Sequence, residues 1–135
     1  MSEPYEQLEH TADLALRIAG RDLRTLFANA AYAMFSQLVD LKSIALDRER
    51  HVTVDGLDHV SLIVNWLNEL LYLHEITGDV YAVFEIETLS PHKLNATVRG
   101  GTSSEVHTVI KAATYHGLEI KETADGLTAT IVFDV

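Results

Sequence analysis

Residues 58–78 read DHVSLIVNWLNELLYLHEITG, and this stretch decides the fold class. At about 100° per residue, Leu62, Ile63, Trp66, Leu67, Leu70, Leu71 and Leu73 share one broad face. Asn65, Asn68, Glu69, Tyr72 and Glu75 make the opposite stripe. Asp58 can accept from the free N–H groups of a first helical turn, and Gly78 can adopt the left-handed backbone that ends a helix. The spacing therefore predicts a helix over 59–77. A face that wide must lie against other apolar elements, and the flanking segments supply them.

Outward from this helix the period falls to two. Ile44, Leu46, Val52 and Val54 alternate with Asp47, Glu49, His51 and Thr53, while Arg48 and Arg50 fall in the apolar phase. That predicts two strands, or one long bent strand, over 43–54, with a break or a sheet edge midway. Val80–Leu89 and Lys93–Arg99 alternate around the turn Ser90-Pro91-His92. Ile110–Glu122 and Leu127–Val135 do the same around Asp125-Gly126, a strong hairpin signal. Gly100–Ser104 reads as a mobile loop, and 105–109 fit either helix or strand. Near the start, residues 5–9 and 14–19 read as strands around a break at 10–13. Asp22 then caps a second helix over about 22–39, in which Leu23, Leu26, Phe27, Ala30, Met34 and Leu38 recur at helical spacing. Parallel crossovers need longer connections than most of these turns. The expected fold is α+β, a layered domain of mostly antiparallel strands packed with two main helices, and residues 1–135 form one domain.

Composition narrows the function. Hydrophobic residues make up 47% of the 135, enough for a core without covalent staples. The absence of cysteine removes disulfides, thiolate zinc sites and cysteine nucleophiles together, and fits a reducing compartment. Lys and Arg number 10 against 20 Asp and Glu, a net charge of −10 with histidine neutral. Nucleic acid and anionic membranes carry the same sign, so direct binding to either is not expected; a basic protein partner or a divalent cation is. The N-terminal residues lack the basic start and apolar run of a signal peptide, and no stretch reaches ~18 uninterrupted apolar residues. The expected location is cytoplasmic. Phosphate-binding loops, a G-x-S-x-G elbow and an H-E-x-x-H helix are all missing from the sequence.

Acids and histidines at strand ends remain. With Asp125-Gly126 as a two-residue turn, Ala124 faces Leu127, Ile120 faces Ile131 and Leu118 faces Phe133, so apolar meets apolar. The same register sets Gly117 opposite Asp134 and His116 opposite Val135. Asp134 and the carboxylate of Val135 then offer oxygen donors one residue apart, with Asp13 a third in its strand-to-strand break. Oxygen-only ligation favours calcium, magnesium or manganese over zinc. A solvated acid satisfies this spacing equally well. His116 can pair with the Val135 carboxylate or contact a partner, and His10 can orient Asp13 or bond local backbone. Glu69 stands in the polar stripe as a solvated acid or a ligand. His74, on the apolar face near the helix end, reads first as a half-buried histidine bonded to a carbonyl and favoured by the helix dipole.

Four segments together resemble the archease family. They are His10-Thr11-Ala12-Asp13 before an alternating strand, VNWLNELLYLHE over 64–75, KAATYHGL over 111–118, and the ending VFDV over 132–135. The resemblance runs from residue 5 to the last and departs at 100–109, where this chain is shorter. It implies a protein that is not an enzyme but a cofactor of the RtcB-type RNA ligase that seals spliced tRNA halves, promoting guanylylation and multiple turnover of the ligase. It also implies a divalent metal, calcium foremost, held by Asp13, Asp134 and Val135. The residues themselves leave two other readings. One is a metal-dependent hydrolase, with water activated at Asp13 and Asp134 and His10 or His116 as base. The other is a chaperone-like protein-binding module working through sheet edges.

Overall fold

The structure is a computed structural model that describes residues 4–8, 13–103 and 105–135. The expected central helix is α2 (His59–Thr77), and both of its ends are closed as the sequence predicts. The Asp58 carboxylate accepts from the Ser61 N–H at 2.7 Å, and the Ser61 hydroxyl accepts from the Asp58 N–H at 3.1 Å, a reciprocal capping box. The Ser61 N–H holds the Asp58 carboxyl below its usual range. At the other end Gly78 takes φ 78° and returns its N–H to the His74 carbonyl at 2.8 Å. Leu62, Ile63, Val64, Trp66, Leu67, Leu70, Leu71 and Leu73 are buried, which is the predicted face with Val64 added. Helix α1 (Leu23–Leu38) starts where Asp22 accepts from the Thr25 N–H at 2.8 Å.

The strands are β1 (Tyr5–Leu8), β2 (Leu14–Gly20), β3 (Arg48–Asp55), β4 (Asp79–Leu89), β5 (Lys93–Thr102), β6 (Ala112–Ala113), β7 (Ile120–Thr123) and β8 (Gly126–Asp134). They form two antiparallel sheets. One runs β1–β2–β8–β6, with β7 also paired to β8, and the other runs β3–β5–β4. Helix α1 packs on β2 and β4, while α2 packs on β3 and β6, so each helix touches both sheets. The fold is the α+β arrangement of mostly antiparallel strands and two helices that the patterning predicts.

Several boundaries differ from expectation. Residues 43–47 are not strand: Leu41–Ser43 form a 3-10 turn, and β3 begins at Arg48 on the edge of its sheet. Arg50 is tolerated on the apolar phase because its Nε donates to the Tyr81 hydroxyl at 3.1 Å and its guanidinium lies 3.8 Å from the buried Asp79 carboxylate. Gly100 and Gly101 are buried strand, not loop. A Cβ on Gly100 would run into the Val80 carbonyl oxygen, so this glycine permits close approach of β4 and β5, whereas one on Gly101 would run into the Ala45 carbonyl oxygen. The expected strand over 110–122 is broken into β6 and β7 by the turn that includes His116 and Gly117.

The final hairpin is also displaced. Thr123 pairs with Gly126 and Ile120 with Ala129, so Ala124-Asp125 form the loop. This shift keeps every side chain on its expected face, which is why the apolar matching could not detect it. Beyond the turn the register changes again, and Ala112 pairs with Asp134 and Ala113 with Phe133. Gly117 and His116 therefore do not face Asp134 and Val135.

Candidate functional site

The site is built by the β2–β8 ladder. Its rungs run from Gly20 with Leu127 to Leu14 with Phe133, and the same register, continued one step past that last rung, would set Asp13 beside Asp134. Residues opposite each other on antiparallel strands share a face, with Cβ atoms about 4.5–5.5 Å apart. In the sequence 120 residues lie between these two acids. Core-facing Leu16, Ile18, Ile131 and Phe133 fix this register, because a one-residue slip would turn them outward. Asp13 is half-buried at the ladder's mouth, while Asp134 and Val135 are exposed.

The other flank of Asp134 is held by β6. The Lys111 N–H donates to the Asp134 carbonyl at 2.8 Å, and the Thr114 N–H donates to the Val132 carbonyl at 3.0 Å. Strand β6 is itself tied to α2 through Asn68, whose carboxamide accepts from the Ala113 N–H at 2.8 Å and donates to the Ala113 carbonyl at 3.1 Å. Asn68 went unremarked in the polar stripe because its partner lies 45 residues away. Helical spacing shows which side a residue faces, not what meets it.

The remaining predicted residues separate. His116 lies exposed in the turn after β6, and its N–H donates to the Thr114 hydroxyl at 3.3 Å. His74 is the half-buried structural histidine its position suggests: Nδ1 lies 2.8 Å from the Asp79 carbonyl oxygen, with the ring edge-on to Phe35. Glu69 is half-buried beside a depression of about 420 Å³ that Asp55, Asn65 and Asn68 also line. His10 lies outside the described residues. Across Asn68 a larger groove of about 590 Å³ is lined by Leu38, Leu71, Tyr72, Val106, Val109 and Ile110, and it reaches Lys111 and Ala112.

Among the described residues no three His, Asp or Glu side chains gather as a metal cluster. The expected donor set has only two acidic side chains, with a main-chain carboxylate as its third member. Two hard oxygen donors at one sheet end, one half-buried and one exposed, fit a largely hydrated divalent cation better than a closed structural ion.

Two antiparallel sheets sharing two helices define the class, an α+β domain. The Archease protein family model matches residues 5–135. Protein archease of Methanosarcina acetivorans is 37% identical over 139 residues, covering 97% of this chain and 95% of the relative. Protein archease of Archaeoglobus fulgidus is 36% identical over 135 residues, covering 97% and 98%. The solution structure of Protein 1598 from Methanobacterium thermoautotrophicum superimposes with a TM-score of 0.83 at 30% identity, over 99% of this chain and 100% of that one. A crystal structure from Thermotoga maritima, described as an archease and possible chaperone, gives a TM-score of 0.64 at 26% identity, covering 96% of each chain. This chain belongs to the archease family.

Proposed function

We propose that this protein activates an RtcB-type RNA ligase in tRNA splicing, promoting guanylylation and multiple turnover of the ligase without being an enzyme itself. Family membership supports the reading, and the β2–β8 register is the observation that carries its site. A divalent cation, calcium foremost, is held by Asp13, Asp134 and the carboxylate of Val135, with waters completing the six to eight oxygens calcium takes. Such an ion supplies local positive charge where acidic oxygens meet the ligase's nucleotide pocket. The acids orient the ion and help to place the ligase's metal or GTP. The net charge of −10 suits docking on a basic ligase surface.

The test is ligase–GMP yield and multiple-turnover sealing with purified ligase, with and without this protein. Wild type should raise both, and Asp13→Ala should raise neither while unfolding at a similar temperature. No response to the wild-type protein sinks the proposal.

A second reading is a chaperone-like binding module. The Thermotoga maritima relative's description favours it, as does the apolar groove with exposed Tyr72, Val106 and Val109. Suppression of aggregation of unrelated clients, with no effect on the ligase, would select it.

A further inference from the structure

Strand β6 is the last strand of its sheet, and only one of its sides meets β8. An edge strand ordinarily offers the other side's N–H and C=O to water or to another chain. Here one side chain takes both. The Asn68 carboxamide accepts from the Ala113 N–H and donates to the Ala113 carbonyl, the paired pattern that one residue of a neighbouring strand would make. Ala113 is 4% exposed, so water is a poor substitute. Asn68 projects from a helix anchored by the buried Leu67, Leu70 and Leu71, which makes it a rigid post. Two short links lead on to the acids. Ala112 pairs with Asp134, and the Lys111 N–H holds the Asp134 carbonyl, one step beyond the last β2–β8 rung, where Asp13 also stands.

We propose that Asn68 is a positioning residue for the Asp13–Asp134 site: its carboxamide replaces a missing neighbouring strand, ties β6 to α2, and through β6 fixes where the Asp134 carboxylate sits. The inference rests on the proposed role of that acidic pair and supplies its support. Asn65 provides a matched control. It lies on the same stripe one turn earlier and makes a single carboxamide bond, at 2.9 Å, to the Asp55 carbonyl on β3.

The test uses amide exchange and amide resonances by NMR on metal-free protein, then calcium titration calorimetry. In Asn68→Ala the Ala113, Lys111 and Thr114 amides should exchange about tenfold faster, the worth of a buried hydrogen bond. The Asp134 and Val135 resonances should shift while Leu16 and Ile131 keep their protection. Calcium affinity should fall about tenfold, as it does when a residue that orients a metal ligand is removed. Asn65→Ala should change neither set. A purely structural role would give the two variants the same pattern. Unchanged protection at Lys111 and Thr114 overturns the inference, as do unmoved Asp134 and Val135 resonances or an undiminished calcium affinity. If Asn68→Ala does not fold, Asn68→Asp decides: it keeps the acceptor for the Ala113 N–H but sets a carboxylate against the Ala113 carbonyl, so Lys111 and Thr114 should exchange faster than in wild type and the Asp134 resonance should shift, and wild-type values for both overturn the inference. Wild-type protein that binds no calcium would remove the metal reading, and the amide data would still decide where Asn68 acts.

Discussion

Trp66 and Asp134 are both single residues on which much depends, for opposite reasons. Trp66 is fully buried, its indole N–H donates to the Phe27 carbonyl at 3.0 Å, and its ring meets Phe84 edge-on. Trp66→Ala should lower unfolding stability by roughly 3–5 kcal/mol, through the cavity and the lost indole hydrogen bond. Urea denaturation measures this, and Trp66→Phe should lose less because it refills most of the volume. Asp134 is exposed at the end of its strand, so truncating it should leave stability within about 0.5 kcal/mol. Its effect belongs to binding. Asp134→Asn removes one formal charge from a sparse oxygen set and should weaken calcium about tenfold or more, by calorimetry. Equal affinity would place the ion elsewhere.

At the scale of elements, the parts read correctly from sequence are those with a local cause. Helix α2 was legible from its cap, its glycine stop and its apolar face, all of which act within a few residues. Strand β5 extends past the expected Arg99: Gly100-Gly101 resembles a loop in sequence, whereas Gly100 answers a contact with Val80, about 20 residues away, and Gly101 one with Ala45. Gly100→Ala should therefore destabilise the protein sharply, since the clash is with backbone that cannot rotate aside. A melting temperature near wild type would contradict the β4–β5 approach. The acid pair was legible as residue types, yet its geometry depended on a register that apolar alternation specifies only modulo two. Asp58 supplies an element-scale pH effect. The Ser61 N–H holds the Asp58 carboxyl below the ordinary value of 3.8 in the fold, so its contribution to α2 is complete above that pH and is lost as pH falls through the lower folded value. Asp58→Asn keeps a capping acceptor without a charge to titrate, and should flatten the acid limb of the stability profile below pH 3.8. An unchanged limb in acid titration followed by circular dichroism would show that other carboxylates dominate it.

For the whole molecule, the excess of 20 acids over 10 bases acts at a distance that no single contact does. Among the described residues many of these acids already meet bases: Arg99 engages Glu49 and Glu85, Arg17 meets Glu6, and Lys93 meets Asp55. Such exposed pairs add little stability, but they consume cations, so the uncompensated charge that remains is negative. A field of that sign steers a basic partner and repels free RNA, as the proposed docking on a ligase requires. Steering acts on the encounter, whereas release depends on short-range contacts that salt screens less. Raising ionic strength from about 0.01 M to about 0.15 M shortens the screening length from about 30 Å to about 8 Å. The association rate constant with the ligase should then fall about tenfold or more while the dissociation rate changes little. Stopped-flow or surface-immobilised kinetics would measure both. An association rate that stays flat across that range, with a dissociation rate that rises instead, would mean that apolar contacts, with the groove between α2 and residues 106–112 the first place to look, govern docking from the first encounter.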